Sequence, residues 1–189
     1  MNNETKIVLL CGGFASGKTF LSKCLYDQGY TVVTTSEALE NKATAGNEIL
    51  DRSRLRELFQ QNRSSDPNSD IIIQHIVNKT KITGNYAIDS IRYIYQLNFI
   101  VSAFRKVCTI YVDTPLQQRY LLNLKRRRYN KDICDFAEFE NEVLDDKEEE
   151  LTIIKERSNL NLPFFENRDD RQHLMVSYLG TYFDRSDIQ

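Results

Sequence analysis

Short apolar runs alternate with longer amphipathic stretches along most of this chain. The first run, Lys6–Cys11, is continuously apolar after its lysine, a pattern typical of a strand buried on both faces of a parallel sheet. A glycine-rich loop follows, and then a helical pattern that ends at Gly29. Tyr30–Thr34 is rich in β-branched residues and predicts a second strand.

The rest of the chain continues this alternation and predicts three more strands, over Asn85–Asp89, Val107–Val112 and Leu162–Glu166. Two helices are expected before the third strand, the second with Asp66 as its N-cap and Pro67 as its first residue. Later helical patterns follow the third strand, open at Pro115, run from Phe136 to about Arg157, and cover Asp169–Tyr182 with Leu174, Tyr178 and Tyr182 on one stripe. We therefore predict one α/β domain over residues 1–189, a three-layer fold with five parallel strands and helices on both faces.

Composition changes this picture little. Hydrophobic residues make up 41% and charged residues 28% of the chain, as in an ordinary soluble globular protein. The net charge of -2 gives no reason to expect nucleic acid or an anionic membrane as a partner. The four cysteines lack C-x-x-C spacing, which disfavours a zinc site or a disulfide framework. We expect a cytoplasmic protein, because the N-terminal apolar run is too short for a membrane span or a signal-peptide core.

The glycine-rich loop is the most specific signal in the sequence. Residues 12–19, GGFASGKT, match the Walker A pattern G-x-x-x-x-G-K-[ST] and lie between a buried strand and a helix. Glycines let backbone N–H groups converge on phosphate oxygens, and the N-terminus of the helix attracts the same anion. The pattern predicts Lys18 at the β- and γ-phosphates of ATP and the Thr19 hydroxyl on Mg²⁺. The alternative is a glycine-rich turn with an incidental surface lysine.

Two charged residues follow the third predicted strand. Asp89 lies at its carboxyl end, where open α/β sheets bind their ligands. A carboxylate there can hold Mg²⁺ through water or orient the acceptor, or it can simply cap a helix. The guanidinium fork of Arg92 suits a phosphate, with a surface salt bridge as the alternative.

Basic residues also cluster after Pro115. Arg119 and Arg126 are seven positions apart, which places them on one helical face about 10 Å from each other, within reach of a transferred phosphoryl group. The run Lys125–Arg128 can instead be a solvated face, or pair with the acidic stretch at 138–150.

Together these motifs resemble the nucleoside monophosphate kinase branch of P-loop proteins, and within it phage deoxynucleoside monophosphate kinases and dephospho-CoA kinase-like proteins. Ala87–Arg92 is similar to the family's D-G-x-R, with Ser90 where glycine is usual. Phe164–Asn167 is similar to the last strand and the turn near adenine. The resemblance implies the strand order 2-3-1-4-5, an acceptor-binding insertion at about 36–83 and a short lid at about 126–137.

The resemblance also implies roles for individual residues. The residues expected to bind ATP are Gly12, Gly13, Phe14, Ala15, Ser16, Gly17, Lys18, Thr19, Phe20, Arg126 and Asn167. The residues expected to bind the acceptor are Ser36, Arg54, Arg63, Asp89, Arg92 and Arg119. The residues expected to act in catalysis are Lys18, Asp89, Arg92, Arg126 and Arg128, and those expected to hold Mg²⁺ are Thr19 and Asp89.

The function expected from these observations is in-line transfer of the ATP γ-phosphate to a nucleoside monophosphate. The stretch Thr34–Ala38 lacks the aspartate that dephospho-CoA kinases carry after the second strand, which favours a nucleoside monophosphate over dephospho-CoA. One alternative is a kinase for dephospho-CoA, a nucleic-acid end or another small metabolite. Another is a nucleotide-binding regulator of low turnover that docks through residues 138–150. The expected partners are small-molecule nucleotides, and the oligomeric state stays open between monomer and homodimer.

Overall fold

A computed structural model of the chain describes residues 5–45, 52–62, 70–126, 135–144 and 148–186. Strands and helices alternate along these residues. In chain order they are β1 (Lys6–Cys11), α1 (Lys18–Asp27), β2 (Thr31–Thr34), α2 (Thr35–Ala45), α3 (Arg52–Gln61), α4 (Ile71–Lys79), β3 (Asn85–Ile91), α5 (Ile94–Ala103), β4 (Lys106–Val112), α6 (Leu116–Arg126), α7 (Phe136–Leu144), α8 (Glu148–Glu156), β5 (Leu160–Leu162) and α9 (Arg168–Ser186).

The five strands form one parallel sheet in the order β2-β3-β1-β4-β5, which confirms the expected strand order. The central strand β1 pairs with β3 on one side and with β4 on the other, so that Val8 lies between Ala87 and Cys108. Because all strands run in one direction, their carboxyl ends meet at one edge of the sheet. Cys11, Thr34, Asp89 and Val112 lie at this edge.

The core lies on both faces of the sheet, as the continuous apolar sequence of β1 predicts. On one face Ile7 and Leu9 pack with apolar side chains of α2 to α5 and α8. On the other face Val8 and Leu10 pack with side chains of α1 and α9. All four of these β1 side chains are fully buried. The predicted helical layers on both faces are therefore confirmed.

A buried carboxylate fixes three of the helices between β2 and β5 relative to one another. Asp70 is the N-cap of α4 and accepts hydrogen bonds from the backbone N–H groups of Ile72 and Ile73. It is fully buried and also accepts from the side chains at the end of α3 and the start of α5. These further donors are Asn62, Tyr95 and Gln96.

Several predicted boundaries differ from the structure. The N-cap of α4 is Asp70, whereas the predicted cap, Asp66, lies outside the described residues. A helix that the sequence did not predict, α2, begins directly after β2. The single helix expected from Phe136 to Arg157 is described as α7 and α8. The fifth strand is Leu160–Leu162 instead of Leu162–Glu166, because Phe164 and Phe165 continue an apolar run beyond the end of the pairing with β4.

The buried stripe of α9 is also displaced by one residue from the prediction. Leu174 is 39% exposed. The buried side chains begin at Arg171 and recur every four residues after it. These side chains are Met175, Leu179 and Phe183. Tyr178 and Tyr182, which are half-buried, recur with the same spacing as the buried residues one position further along. The two stripes are therefore hard to distinguish in the sequence. The stripe of α9 that faces the protein core therefore includes an arginine.

Within the described ranges, every helix is too short or too polar to cross a lipid bilayer.

Candidate active site

The glycine-rich loop connects the carboxyl end of β1 to the N-terminus of α1. Gly12 and Gly17 have φ values of 130° and 97°, in the region that favours glycine. Ala15 adopts a φ of 57° between them. Gly17 is the N-cap of α1 without a side-chain cap, and its carbonyl accepts from the N–H groups of Phe20 and Leu21. The N-terminal end of α1, with its partial positive charge, therefore borders the loop.

Lys18 closes the loop over its own backbone. Its ammonium donates to the carbonyl oxygens of Gly12 at 2.7 Å and Gly13 at 2.8 Å, and it lies 3.3 Å from the Ser16 hydroxyl. The residue is only 8% exposed. A buried ammonium is therefore held where the loop curves, with hydrogen bonds to neutral oxygens. An anion that replaces these oxygens would bind the ammonium more strongly.

The two glycines that open the loop are needed for different reasons. A Cβ at Gly12 would lie 2.8 Å from the carbonyl oxygen of Val112. A Cβ at Gly13 would lie 2.5 Å from Nη2 of Arg119. The guanidinium of Arg119 covers Gly13, and its Nε donates to the Phe14 carbonyl at 2.7 Å. The structure thus places Arg119 on the glycine-rich loop at residues 12–19, which we call the phosphate loop, while its expected contact with the acceptor stays a prediction.

A second arginine approaches the loop from the opposite end of the chain. Arg171 in α9 is 5% exposed and donates to the Ser16 carbonyl at 3.2 Å. The same carbonyl accepts from the Thr114 hydroxyl at 2.8 Å. Neither Arg171 nor Thr114 was predicted from the sequence to belong to the site. The available signal was the position of Arg171 on the same stripe as Met175, Leu179 and Phe183, where a charged residue is unusual.

Asp89 lies across from the loop at the end of β3. It is 7% exposed, and its oxygens accept from the hydroxyls of Ser22 at 3.0 Å and Ser90 at 2.8 Å. Ser22 lies in α1, one turn after Thr19, so this hydrogen bond joins the loop helix to β3. Burial raises the pKa of the intervening Cys11 thiol to about 12, while Lys18 lowers that pKa and Asp89 raises it. The charges of the lysine and the carboxylate therefore both act on this part of the sheet edge.

The residue after Asp89 adopts a backbone conformation that usually requires glycine. Ser90 has a φ of 79°, and the pairing of β1 with β3 shifts here, from Leu10 opposite Asp89 to Cys11 opposite Ile91. This is a β-bulge with Ser90 as its extra residue. Ser90 therefore has a left-handed backbone conformation and donates a hydrogen bond to the carboxylate.

An apolar cluster packs against two loop residues at positions that the Walker A pattern leaves unspecified. Ala15 is buried together with Phe139 and Val143 of α7, and Phe14 packs against the same cluster. The rings of Phe14 and Phe139 have centroids 5.6 Å apart, and Tyr120 of α6 meets Phe139 edge-on at 5.5 Å. The loop is therefore packed against both helices that flank residues 127–134.

Three of the expected acceptor residues lie in or next to β3, α2 and α3. Arg92 is half-buried after β3, Ser36 is exposed in the first turn of α2, and Arg54 in α3 pairs with Glu57 at 2.9 Å. Glu37 of α2 accepts from Lys79 of α4 at 2.8 Å. The acceptor roles of these residues, and the insertion at 36–83, stay predictions.

Other expected residues are described only in part. Arg63 and Arg128 lie outside the described residues, as does most of the expected lid at 126–137, and Arg126 is the last residue of α6. Asn167 accepts from the N–H of Asp169 and so begins α9. The next residue, Arg168, lies 5.5 Å from the ring centroid of Phe20. The start of α9 is therefore beside the start of α1, and the expected contacts of Asn167 and Phe20 with ATP stay predictions.

Comparison of the sequence with protein-family models and with curated proteins finds no match. Comparison of the structure finds many similar solved chains. A shikimate kinase from Bacteroides thetaiotaomicron has a TM-score of 0.63 at 11% identity, with 93% of this chain and 98% of that chain covered. A shikimate kinase from Acinetobacter baumannii, in complex with shikimate, has a TM-score of 0.58 at 12% identity, with 95% and 96% covered.

A sugar kinase from Janibacter sp. HTCC2649 is similar over the same extent, with a TM-score of 0.56 at 13% identity and 95% of both chains covered. At such low identity the likeness establishes the fold and leaves the substrate open. The comparisons do not test the predicted closeness to dephospho-CoA kinases or to phage deoxynucleoside monophosphate kinases. The chain has the three-layer P-loop fold that these small-molecule kinases share.

Proposed function

We propose that this chain is a phosphotransferase that uses ATP and Mg²⁺ and phosphorylates a small acceptor, namely a nucleoside or deoxynucleoside monophosphate. The observation that carries the proposal is the loop at residues 12–19. It combines the complete phosphate-loop sequence with left-handed glycines and a buried lysine ammonium at its centre. The fold shared with kinases supports the proposal, but the chemistry has to be argued from the site.

In this proposal the phosphates of ATP replace the carbonyls of Gly12 and Gly13 as partners of Lys18. Oxygens that carry a formal charge bind an ammonium more strongly than neutral carbonyls do, so the exchange is favourable. The backbone N–H groups of the loop and the N-terminus of α1 add further positive potential. Arg126 and Arg128 are proposed to close over the reacting phosphoryl group and limit hydrolysis by water.

The residues on the two sides of the loop fit Mg²⁺. Among the described residues, Asp89 is hydrogen-bonded only by the hydroxyls of Ser22 and Ser90, and so its buried negative charge has no cationic partner there. Thr19 adds an exposed hydroxyl. Mg²⁺ in phosphotransfer sites takes one or two protein oxygens and completes its shell with phosphate and water. When bound, the ion supplies positive charge against the phosphates during transfer.

We propose an attacking phosphate instead of an attacking hydroxyl on the acceptor side. A hydroxyl acceptor needs a base to take its proton, whereas a monophosphate, with a second pKa of about 6, is already a dianion at neutral pH. Glu37 is the one carboxylate between residues 34 and 38, and its hydrogen bond from Lys79 directs it toward α4. In the transfer, an acceptor oxygen bonds to the γ-phosphorus as the bond to the leaving ADP breaks. We propose Arg92 as the ligand of the acceptor phosphate, with Ser36, Arg54, Arg63 and Arg119 as further contacts.

The first test is a coupled assay of ADP release with Lys18→Met, using Lys23→Met as the matched control. Lys23 is an exposed lysine of the same helix. We expect Lys18→Met to lower kcat/KM by about 10²-fold or more, because one preorganised charged donor to the transferring group is removed. Lys23→Met should retain the rate of the parent. Equal activity of the Lys18→Met variant and the parent would exclude the proposed donor site.

The second test identifies the acceptor. The assay is run with each nucleoside and deoxynucleoside monophosphate, and also with dephospho-CoA, shikimate and monosaccharides. An ATPase rate that no acceptor changes would refute the proposal. Calorimetry with a non-hydrolysable ATP analogue then distinguishes a regulator, which binds ATP but shows no second nucleotide site.

A further inference from the structure

Arg171 connects three separated segments of the chain beneath the phosphate loop. Besides Ser16, its guanidinium donates to the carbonyl oxygens of Asp113 at 3.3 Å and Leu162 at 3.2 Å, and to the Thr114 hydroxyl at 3.0 Å. These groups belong to the loop, to the end of β4 and to the end of β5. One planar fork therefore fixes the loop to the neighbouring strand ends.

The contact with Ser16 determines how one peptide group of the loop is oriented. The Ser16 carbonyl accepts from both Arg171 and Thr114. In a trans peptide the C=O and the N–H point in opposite directions, so a carbonyl held on the α9 side directs the N–H of Gly17 to the other side. A donor on the carbonyl also polarises the peptide group and strengthens its N–H as a donor. The contact is close, since a Cβ at Gly17 would lie 3.3 Å from Nη1 of Arg171.

The chemistry of Arg171 is unusual for a residue that only fills the core. Its hydrogen-bond partners are neutral oxygens, and its Nε has no partner among the described residues. Burial lowers the pKa of its guanidinium to about 10, and the nearby Asp113 raises it. Removing a cation from water without a bonded carboxylate is costly, and an apolar side chain at this place on the α9 stripe would avoid that cost.

We propose that Arg171 is a positioning residue of the phosphate loop, which holds the Ser16–Gly17 peptide so that its N–H is available to the polyphosphate of the donor. The inference rests on the proposed function, because it requires a nucleotide in the loop. Arg171 acts through the backbone of the loop and not by contact with the phosphates.

The test measures the binding of MgATP and of inorganic tripolyphosphate to folded Arg171→Lys by calorimetry. Lysine keeps the charge but cannot bridge the four oxygens. We expect both affinities to fall by about tenfold or more, because hydrogen bonds from a charged donor that orient the loop are lost. Arg157→Lys is the matched control, since Arg157 is exposed and donates to Asn98 at the surface. Its affinities should stay within about twofold of the parent.

A second pair of variants keeps the proposal testable if Arg171→Lys does not fold. Thr114→Val removes the hydroxyl that donates to Ser16 and accepts from Arg171, whereas Thr114→Ser retains it. We expect tripolyphosphate to bind about threefold or more weakly to Thr114→Val, and Thr114→Ser to restore parental affinity.

The outcomes separate the possible failures. Parental affinity of Arg171→Lys for tripolyphosphate, or a loss seen with ATP alone, would overturn the inference, as would parental affinity of Thr114→Val. A parent protein that binds neither ligand would refute the proposed function instead. A fall in melting temperature with unchanged affinities would show that Arg171 is purely structural.

Discussion

The two glycines that open the phosphate loop are expected to respond differently to alanine. At Gly12 the φ is 130°, and the new Cβ would meet the carbonyl oxygen of Val112, a backbone atom that cannot rotate away. At Gly13 the Cβ would meet the end of the Arg119 side chain, which can move. Gly12→Ala should therefore strain the backbone, whereas Gly13→Ala should displace the arginine.

The magnitudes follow from these contacts. Gly12→Ala combines backbone strain with overpacking, each worth about 1–3 kcal/mol, so we expect the free energy of unfolding to fall by about 2–6 kcal/mol. Gly13 does not have a positive φ, so alanine there gains about 0.4–1 kcal/mol from the less flexible unfolded chain. It loses the hydrogen bond of 2.7 Å from Arg119 to the Phe14 carbonyl, worth about 1.5–3 kcal/mol for a charged donor. The net loss for Gly13→Ala is about 0.5–2.5 kcal/mol.

A double-mutant cycle with Arg119→Ala, followed by urea denaturation, tests the reasoning. In the Arg119→Ala background the clash is absent, so Gly13→Ala should be neutral or stabilise by up to about 1 kcal/mol. Gly12→Ala is the control and should keep its full cost in that background. If the effects of Gly13→Ala and Arg119→Ala add within about 0.5 kcal/mol, the two residues are not coupled and the argument is wrong.

Three further predictions concern the edge of the sheet and its surroundings. Ser90→Gly should destabilise the protein less than Ser90→Ala in urea denaturation. Glycine relieves the strain of the positive φ, worth about 1–2 kcal/mol, and this exceeds the cost of a more flexible unfolded chain, about 0.4–1 kcal/mol. The reverse order of the two variants would contradict this. The hydrogen bond from Lys79 lowers the pKa of Glu37 below 4.5, so this carboxylate stabilises the fold above that pH and loses its contribution as the pH falls through the lowered value. Glu37→Gln should therefore cost up to about 1 kcal/mol at pH 7 and progressively less in acid, and a cost independent of pH would disprove the ion pair. Burial raises the pKa of Cys11 and Cys108 to about 12, so a thiol reagent at pH 8 should label both cysteines only after denaturation. Peptide mapping measures the labelling. Labelling of the native protein as fast as that of the unfolded protein would contradict their burial.

The parts of this site that are local in sequence could be predicted from it. The loop is recognisable because its glycines, Lys18 and Thr19 have fixed spacing, and the alternation of strands with helices predicts a parallel sheet. The order of the strands was expected only from the resemblance to a known family. Asp89 was predictable because it lies near the carboxyl end of a predicted strand, although β3 continues to Ile91. The prediction for β5 was wrong because its sequence, Leu160–Leu162, is short and interrupted by Asn161, whereas Phe164 and Phe165 follow with a stronger apolar signal.

The contacts that support the loop were not predictable in the same way. Arg171 and Ser16 are 155 residues apart, and nothing in either local sequence specifies the other. The hydrogen bond from Ser22 to Asp89 likewise spans 67 residues. Such pairs arise only when the sheet brings distant strand ends together. A charged residue on an apolar helical stripe is the one sequence signal that would have pointed to Arg171.

The burial of Phe14 and Ala15 under α7 has a consequence for engineering. The Walker A pattern leaves the four positions between its glycines unspecified. In this chain two of these positions, Phe14 and Ala15, pack against Phe139 and Val143 and help to bury them. Grafting a loop that satisfies the motif but has small polar residues at these positions would expose Phe139 and Val143 to water. The loop and α7 therefore have to be transplanted together.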